Sequence, residues 1–145
     1  MIRDIKPNDR IAFMDMAKKF YSSAAVAHKI DDAKLEAVFF AAIDGSPYIR
    51  AFIIEEGGRP AGFALVSYSY ATEAGGPAVH LEDLYVDEKL RGKGLGGKFM
   101  EFLESEYPEA KRFRLEVTKE NIRAIELYRR LGYKNLDYAQ MVKDK

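Results

Sequence analysis

The stretch Arg91-Gly92-Lys93-Gly94-Leu95-Gly96-Gly97-Lys98 packs four glycines into six residues and brackets them with cations. It lies between an apolar run ending at Val86 and an amphipathic helical pattern. Glycine lets a backbone take positive φ and approach a ligand closely, while the first amides of a helix have no partner inside it and attract an anion. The stretch therefore predicts a strand, a turn and a helix folded around a phosphate. A plain surface turn would account for one or two of these glycines, not for four beside Arg91, Lys93 and Lys98.

Two familiar phosphate motifs fit the letters and fail the context. Gly92, Gly94 and Gly97 match G-x-G-x-x-G, and Glu116 lies near the distance of a ribose-binding acid. In a dinucleotide fold the first glycine follows its strand closely, whereas here Asp87, Glu88, Lys89, Leu90 and Arg91 intervene. Residues 92–98 also spell G-x-x-x-x-G-K, but Phe99 stands where a P-loop needs a hydroxyl for magnesium.

The rest of the chain sets the frame. Residues 2–5 read as a first strand, and Pro7 opens a helix with Ile11, Met14, Ala17 and Tyr21 on one side. Leu35, Val38, Phe39, Ala42 and Ile43 mark a second helix, capped by Asp31 or Asp32. Residues 48–55 and 61–70 are expected to pair as a hairpin across Gly57-Gly58. Residues 71–77 read as a mobile loop leading to a strand at 78–86. Leu95, Phe99, Phe102 and Leu103 line a third helix, and residues 113–117 alternate as a strand. A fourth helix carries Ala124, Leu127, Tyr128 and Leu131 on one face and stops at Gly132. Residues 138–142 read as a last strand. The expected fold is mixed α/β: a mostly antiparallel twisted sheet of about six to seven strands with about four helices. No linker or repeat interrupts it, so residues 1–145 read as one domain.

Composition narrows the chemistry. The 23 basic and 23 acidic side chains cancel, which argues against holding a nucleic-acid backbone. No apolar run approaches the roughly 20 residues that span a bilayer, and the amino terminus lacks a secretory stretch, so the expected compartment is the cytoplasm. With no cysteine and two distant histidines, neither a thiolate nucleophile nor a metal site is expected.

Leu84-Tyr85-Val86 through Gly97 resembles the acetyl-CoA signature of the GNAT N-acetyltransferase superfamily, whose core is [Arg/Gln]-x-x-Gly-x-[Gly/Ala]; Arg91, Gly94 and Gly96 satisfy it. Asn121-Ile122-Arg123-Ala124-Ile125-Glu126-Leu127-Tyr128-Arg129-Arg130-Leu131-Gly132-Tyr133 resembles the family's distal N-x-x-A-x-x-x-Y-x-x-x-G-[Phe/Tyr] helix. The close resemblance spans roughly residues 78–135. The amino-terminal half agrees in element order only.

The resemblance implies an acetyl-CoA-dependent N-acetyltransferase of the GNAT fold that acts on a small-molecule or peptide amine in a ternary complex. Pantetheine would bond to the backbone of Leu84, Tyr85 and Val86. The pyrophosphate would rest on amides of Arg91, Gly92, Lys93, Gly94, Leu95, Gly96 and Gly97, and Asn121 would face the pantetheine arm or simply cap its helix. Val79-His80-Leu81-Glu82-Asp83-Leu84-Tyr85-Val86 is similar to the strand of diamine and glucosamine-phosphate acetyltransferases, where the corresponding Glu borders the acceptor. Glu82 is thus the first choice for base. Strand alternation places His80, Glu82, Leu84 and Val86 on one face and Leu81, Asp83 and Tyr85 on the other, which makes His80 the reserve base. Tyr128 is implied as the acid for the departing thiolate, with a core aromatic as its plainer role. Glu73, Glu82 and Asp83 hint at a cationic acceptor. A non-catalytic acyl-CoA sensor and, more remotely, a dinucleotide-binding protein stay open as alternatives. A homodimer is frequent in the superfamily.

Overall fold

The computed structural model describes residues 1–145. Five strands, β1 (Ile2–Asp4), β2 (Ile49–Glu56), β3 (Arg59–Ala71), β4 (Gly76–Val86) and β5 (Arg112–Leu115), form one sheet in sequence order. The first four are antiparallel neighbours, and β5 lies parallel to β4. Four helices cover the sheet: α1 (Arg10–Tyr21), α2 (Asp32–Ile43), α3 (Leu95–Glu106) and α4 (Ile122–Arg130). None is long and apolar enough to cross a membrane.

Local chemistry sets the element ends. The β2–β3 hairpin closes through Gly57 and Gly58, at φ 59° and 74°, with Glu56 opposite Arg59, so the two positive φ values fall where glycine meets them freely. Asp31 caps α2 by accepting the Lys34 amide at 2.9 Å. Gly132, at φ 89°, ends α4: its amide bonds the Arg129 carbonyl and the Tyr133 amide bonds the Tyr128 carbonyl, the paired closure of a Schellman stop.

Each face of the sheet buries its own cluster. On one, Phe13, Met16 and Phe20 of α1 and Leu35 and Phe39 of α2 pack on Ala51, Ile53, Phe63, Leu65 and Tyr85. On the other, Leu95, Phe99, Met100 and Leu103 of α3 pack on Phe52, Ile54, Ala64, Val66, Val79 and Leu81. The result is a three-layer sandwich.

The structure corrects the sequence reading in four places. Helix α1 turns Phe13, Met16, Ala17 and Phe20 inward and leaves Ile11 exposed, because a stripe with two phenylalanines buries more apolar area than the Ile11–Met14 stripe. Residues 71–77 form a short 3-10 turn, Thr72–Ala74, closed by Gly75 at φ 73°, so β3 and β4 make one long hairpin. Residues 138–142 form no strand, and the sheet has five strands rather than six or seven. There β5 offers only four residues of edge, and the tail leaves Tyr138, Met141 and Val142 exposed, tied down by the Tyr138 hydroxyl donating to Glu73 Oε1 at 2.7 Å.

The fourth correction concerns β4. Leu65 pairs with Asp83 and Val66 with Leu81, which leaves Glu82 as an extra residue in a β-bulge. Alternation resets there. Leu81 packs on the α3 side, yet Tyr85 packs on the α1–α2 side against Phe63, and Leu84 and Val86 lean toward the α3 cluster. Leu81, Asp83 and Tyr85 therefore do not share one face.

Candidate active site

The glycine turn forms an anion cradle. Gly92 and Gly94 take φ of 88° and 76°, and Gly94 caps α3. The first intrahelical bond runs from the Lys98 amide to the Gly94 carbonyl at 2.9 Å, so the amides of Leu95, Gly96 and Gly97 keep no helical partner and point out of the helix start. A methyl group on Gly96 would make ordinary contact with Leu127 Cδ2 at 3.4 Å and Leu84 Cδ2 at 4.0 Å, so α3 begins close to both α4 and β4 with room for little more than a methyl there. The donor set thus fits a diphosphate. The neighbouring cations are turned aside: Arg91 donates to the Val86 carbonyl at 3.1 Å and pairs with Glu88 at 3.5 Å, while Lys93 pairs with Glu56 at 3.4 Å.

A cleft of about 560 Å³ runs from this cradle between β4 and α4. Of the residues named from sequence, Leu84, Tyr85, Val86, Arg91, Gly92, Gly94, Leu95, Gly96, Gly97, Asn121 and Tyr128 line it; Lys93, Glu82 and His80 do not. Phe20, Ser23, Ala24 and Ala25 at the end of α1 supply the facing wall. The volume lies in the range of small-ligand and cofactor sites.

The floor has an unusual edge. β5 pairs β4 only from Ala78 to Leu81, where Leu81 meets Leu115, and no strand continues beside Leu84, Tyr85 and Val86. Tyr85 directs its carbonyl toward β3, where a methyl on Gly62 would lie 2.2 Å from it, and the Asp87 amide donates to the Ala61 carbonyl on that same side. By alternation, the backbone groups of Leu84 and Val86 face the open side. An extended ligand laid there would meet a strand edge with no neighbouring strand, its Val86 carbonyl held by the Arg91 side chain.

On the cleft's α4 wall, burial alone pushes the Tyr128 phenol up to about 12, which holds its proton at neutral pH. Asn121 accepts the Ala124 amide at 3.4 Å, so it caps α4 while lining the cleft.

Upstream of Leu84 on β4 stands an acidic row. Glu82 accepts a short hydrogen bond from the Ser67 hydroxyl. His80 lies between two carboxylates, with Nδ1 3.6 Å from Glu82 and Nε2 3.7 Å from Glu116. Asp83 is buried and accepts the Tyr21 hydroxyl at 2.7 Å. Burial raises the Asp83 carboxyl to about 6, Tyr21 opposes the rise, and the charge of Glu82 adds to it. Burial and Asp83 likewise push the Tyr21 phenol upward.

Asp83 as a buried titrating group, and Tyr21 as its partner, escaped the sequence reading. An alternation count gives no signal for a bulge, and Tyr21 looked like one more apolar position of its helix. No group of three His, Cys, Asp or Glu side chains is arranged to hold a metal ion.

Residues 12–133 match the Acetyltransferase (GNAT) family. The thialysine N-epsilon-acetyltransferase of Sus scrofa is 29% identical over 149 residues, covering 97% of this chain and 87% of that protein. The spermine/spermidine N(1)-acetyltransferase of Bacillus subtilis is 40% identical over 58 residues, 38% of each chain. Among solved structures, the aminoglycoside N-acetyltransferase AAC(6')-Iy in complex with CoA superposes with a TM-score of 0.80 at 16% identity, covering 100% of this chain and 94% of that one. Family match, fold and cradle coincide on the same residues. The chain belongs to the GNAT acetyltransferase family and is an acetyl-CoA-dependent N-acetyltransferase.

Proposed function

We propose that the enzyme transfers the acetyl group directly to the amine of a small cationic acceptor, with both substrates bound together. The observation that carries this reading is the juxtaposition on β4: the open edge at Leu84 continues upstream into the acidic row at Glu82 and Asp83. When bound, acetyl-CoA supplies an acyl carbon activated by its thioester. The free amides of Leu95, Gly96 and Gly97 hold the diphosphate, the backbone of Leu84, Tyr85 and Val86 lines the pantetheine, and Asn121 borders it. The Leu84 amide, on the open side of the strand, stabilises negative charge on the thioester oxygen.

Most alkyl amines carry a proton at pH 7 and must lose it before attack. Glu82 takes that proton, with His80 as the nearest group to receive it in turn. Apo distances of 3.6 Å are longer than hydrogen bonds, and such contacts commonly tighten in the complex. As the amine nitrogen bonds the acyl carbon and the carbon–sulfur bond breaks, Tyr128, protonated at neutral pH, donates to the departing sulfur, and the second proton lost by the acylated nitrogen restores it. Tyr128→Phe keeps the ring in the core and removes the hydroxyl, so kcat falls roughly 10- to 100-fold with the acetyl-CoA KM nearly unchanged; equal kcat values in steady-state assays would confine Tyr128 to packing.

Two adjacent carboxylates suit an acceptor with a second cationic group, and the relatives named for thialysine and for spermine/spermidine support that class. The geometry favours a second reading for the base: Asp83 is buried beside Glu82 at the bulge, and that burial pushes its carboxyl up to about 6, nearer the working range of a general base. The single sheet shared by both core clusters supports reading residues 1–145 as one domain. An amine panel assayed by free-thiol release tests the whole proposal. Acceptor-dependent thiol release is expected. Coenzyme A binding with no release on any amine would instead make the protein an acyl-CoA sensor.

A further inference from the structure

The cations of the glycine turn are engaged by other partners, although Arg91 also lines the cleft. Arg91 is held by the Val86 carbonyl and Glu88, and Lys93 by Glu56. Lys98 lies further along α3 and does not line the cleft. The cation that does overhang the cradle comes from the opposite wall: a methyl group on Gly92 would lie 3.9 Å from Arg123 Nη2. Arg123 is exposed, lines the cleft and sits in the first turn of α4. Unlike Arg91 and Lys93 it enters no ion pair; Glu120, also on the cleft, leaves it free. Arg130 lines the cleft too, but seven residues on, about 10 Å further along the helix.

We propose that Arg123 is a binding residue for the cofactor: its guanidinium closes on the diphosphate of coenzyme A from the α4 side, opposite the amides of Leu95, Gly96 and Gly97. The inference rests on the proposed seating of the diphosphate in that cradle. A guanidinium presents a planar fork of donors that matches phosphate oxygens, and an arginine without a carboxylate partner gives up no ion pair to make the contact. An anion held between the start of α3 and the start of α4 also ties the two helices together where Gly96 already brings them close.

Calorimetric titration with coenzyme A and with dephospho-coenzyme A, at low and high salt, tests the assignment. At low salt Arg123→Ala is expected to weaken coenzyme A about 10- to 100-fold, the range of a charge-assisted hydrogen bond converted to affinity. The gap narrows at high salt. Arg123→Lys restores part of the affinity because it keeps the charge without the fork. Arg129→Ala, the same charge change on an exposed residue that does not line the cleft, binds as the wild type does. The Arg123→Ala penalty should be equal for dephospho-coenzyme A, and the acetyl-CoA KM should rise by a similar factor. Wild-type affinity in Arg123→Ala would overturn the proposal, and so would a penalty confined to coenzyme A, which would place the guanidinium on the 3′-phosphate. Failure of the wild type itself to bind coenzyme A would instead overturn the seating in the cradle.

Discussion

Glu82→Gln lowers turnover about 10²- to 10⁴-fold at neutral pH and leaves coenzyme A affinity nearly unchanged, the expected loss for removing a general base. The variant isolates proton removal, because a glutamine oxygen can still accept the Ser67 hydroxyl that now holds Glu82. The loss is steepest below neutral pH, where less of the acceptor amine is free of its proton. A pH profile of kcat/KM for wild type, Glu82→Gln and Asp83→Asn makes the measurement. If Glu82→Gln turns over like the wild type while Asp83→Asn does not, and the acidic limb lies near 6, the base is Asp83.

Asp83→Asn has a second, separable effect on stability. The Asp83 carboxyl rises from 3.8 to about 6 in the folded chain, so between those values the folded state holds more protons than the unfolded state. Stability is therefore greatest with Asp83 protonated and falls as pH rises through about 6. At 1.36 kcal/mol per pKa unit, the loss is about 3 kcal/mol by pH 7. Asp83 is 7% exposed, so solvent screens little of it. Asparagine cannot ionise and can still accept the Tyr21 hydroxyl. Thermal melts should show the variant gaining on the wild type between pH 4 and pH 7, by on the order of 5–10 °C. A constant difference across that range would mean that Asp83 is not burdened by its burial.

Glycines and helix periods made much of this molecule legible in its sequence. Gly57-Gly58 marked the hairpin, Gly132 marked the end of α4, and Gly92 and Gly94 before α3 marked the cradle, because each demands a backbone that other residues resist. Leu35 with Phe39 and Leu95 with Phe99 marked core faces through the helical period. What escaped depends on neighbours distant in sequence. The face of α1 was decided by aromatic contacts, Phe13 and Phe20 both touching Phe63, which no count of apolar spacing weighs. The tail at 138–142 had the pattern of a strand but only a short edge to pair with. Nothing in the sequence sets Arg123 apart from the other cations of its helix, whereas Arg91 and Lys93 adjoin the glycines, and only the fold shows that carboxylates hold those two.

The extra residue at Glu82 gives β4 a phase as well as a composition. Upstream of it, Val79 and Leu81 are committed to the α3 side; downstream, Tyr85 is committed to the α1–α2 side. Were the strand to keep all its residues but run on from Leu81 without the bulge, the downstream half would exchange sides, turning Tyr85 against α3 and Leu84 toward Phe20. Lengthening or shortening the turn at Thr72–Ala74 carries no such penalty. Descendants of this chain can drift in the tip of that hairpin, but those that keep every residue of β4 must keep the kink at Glu82 as well.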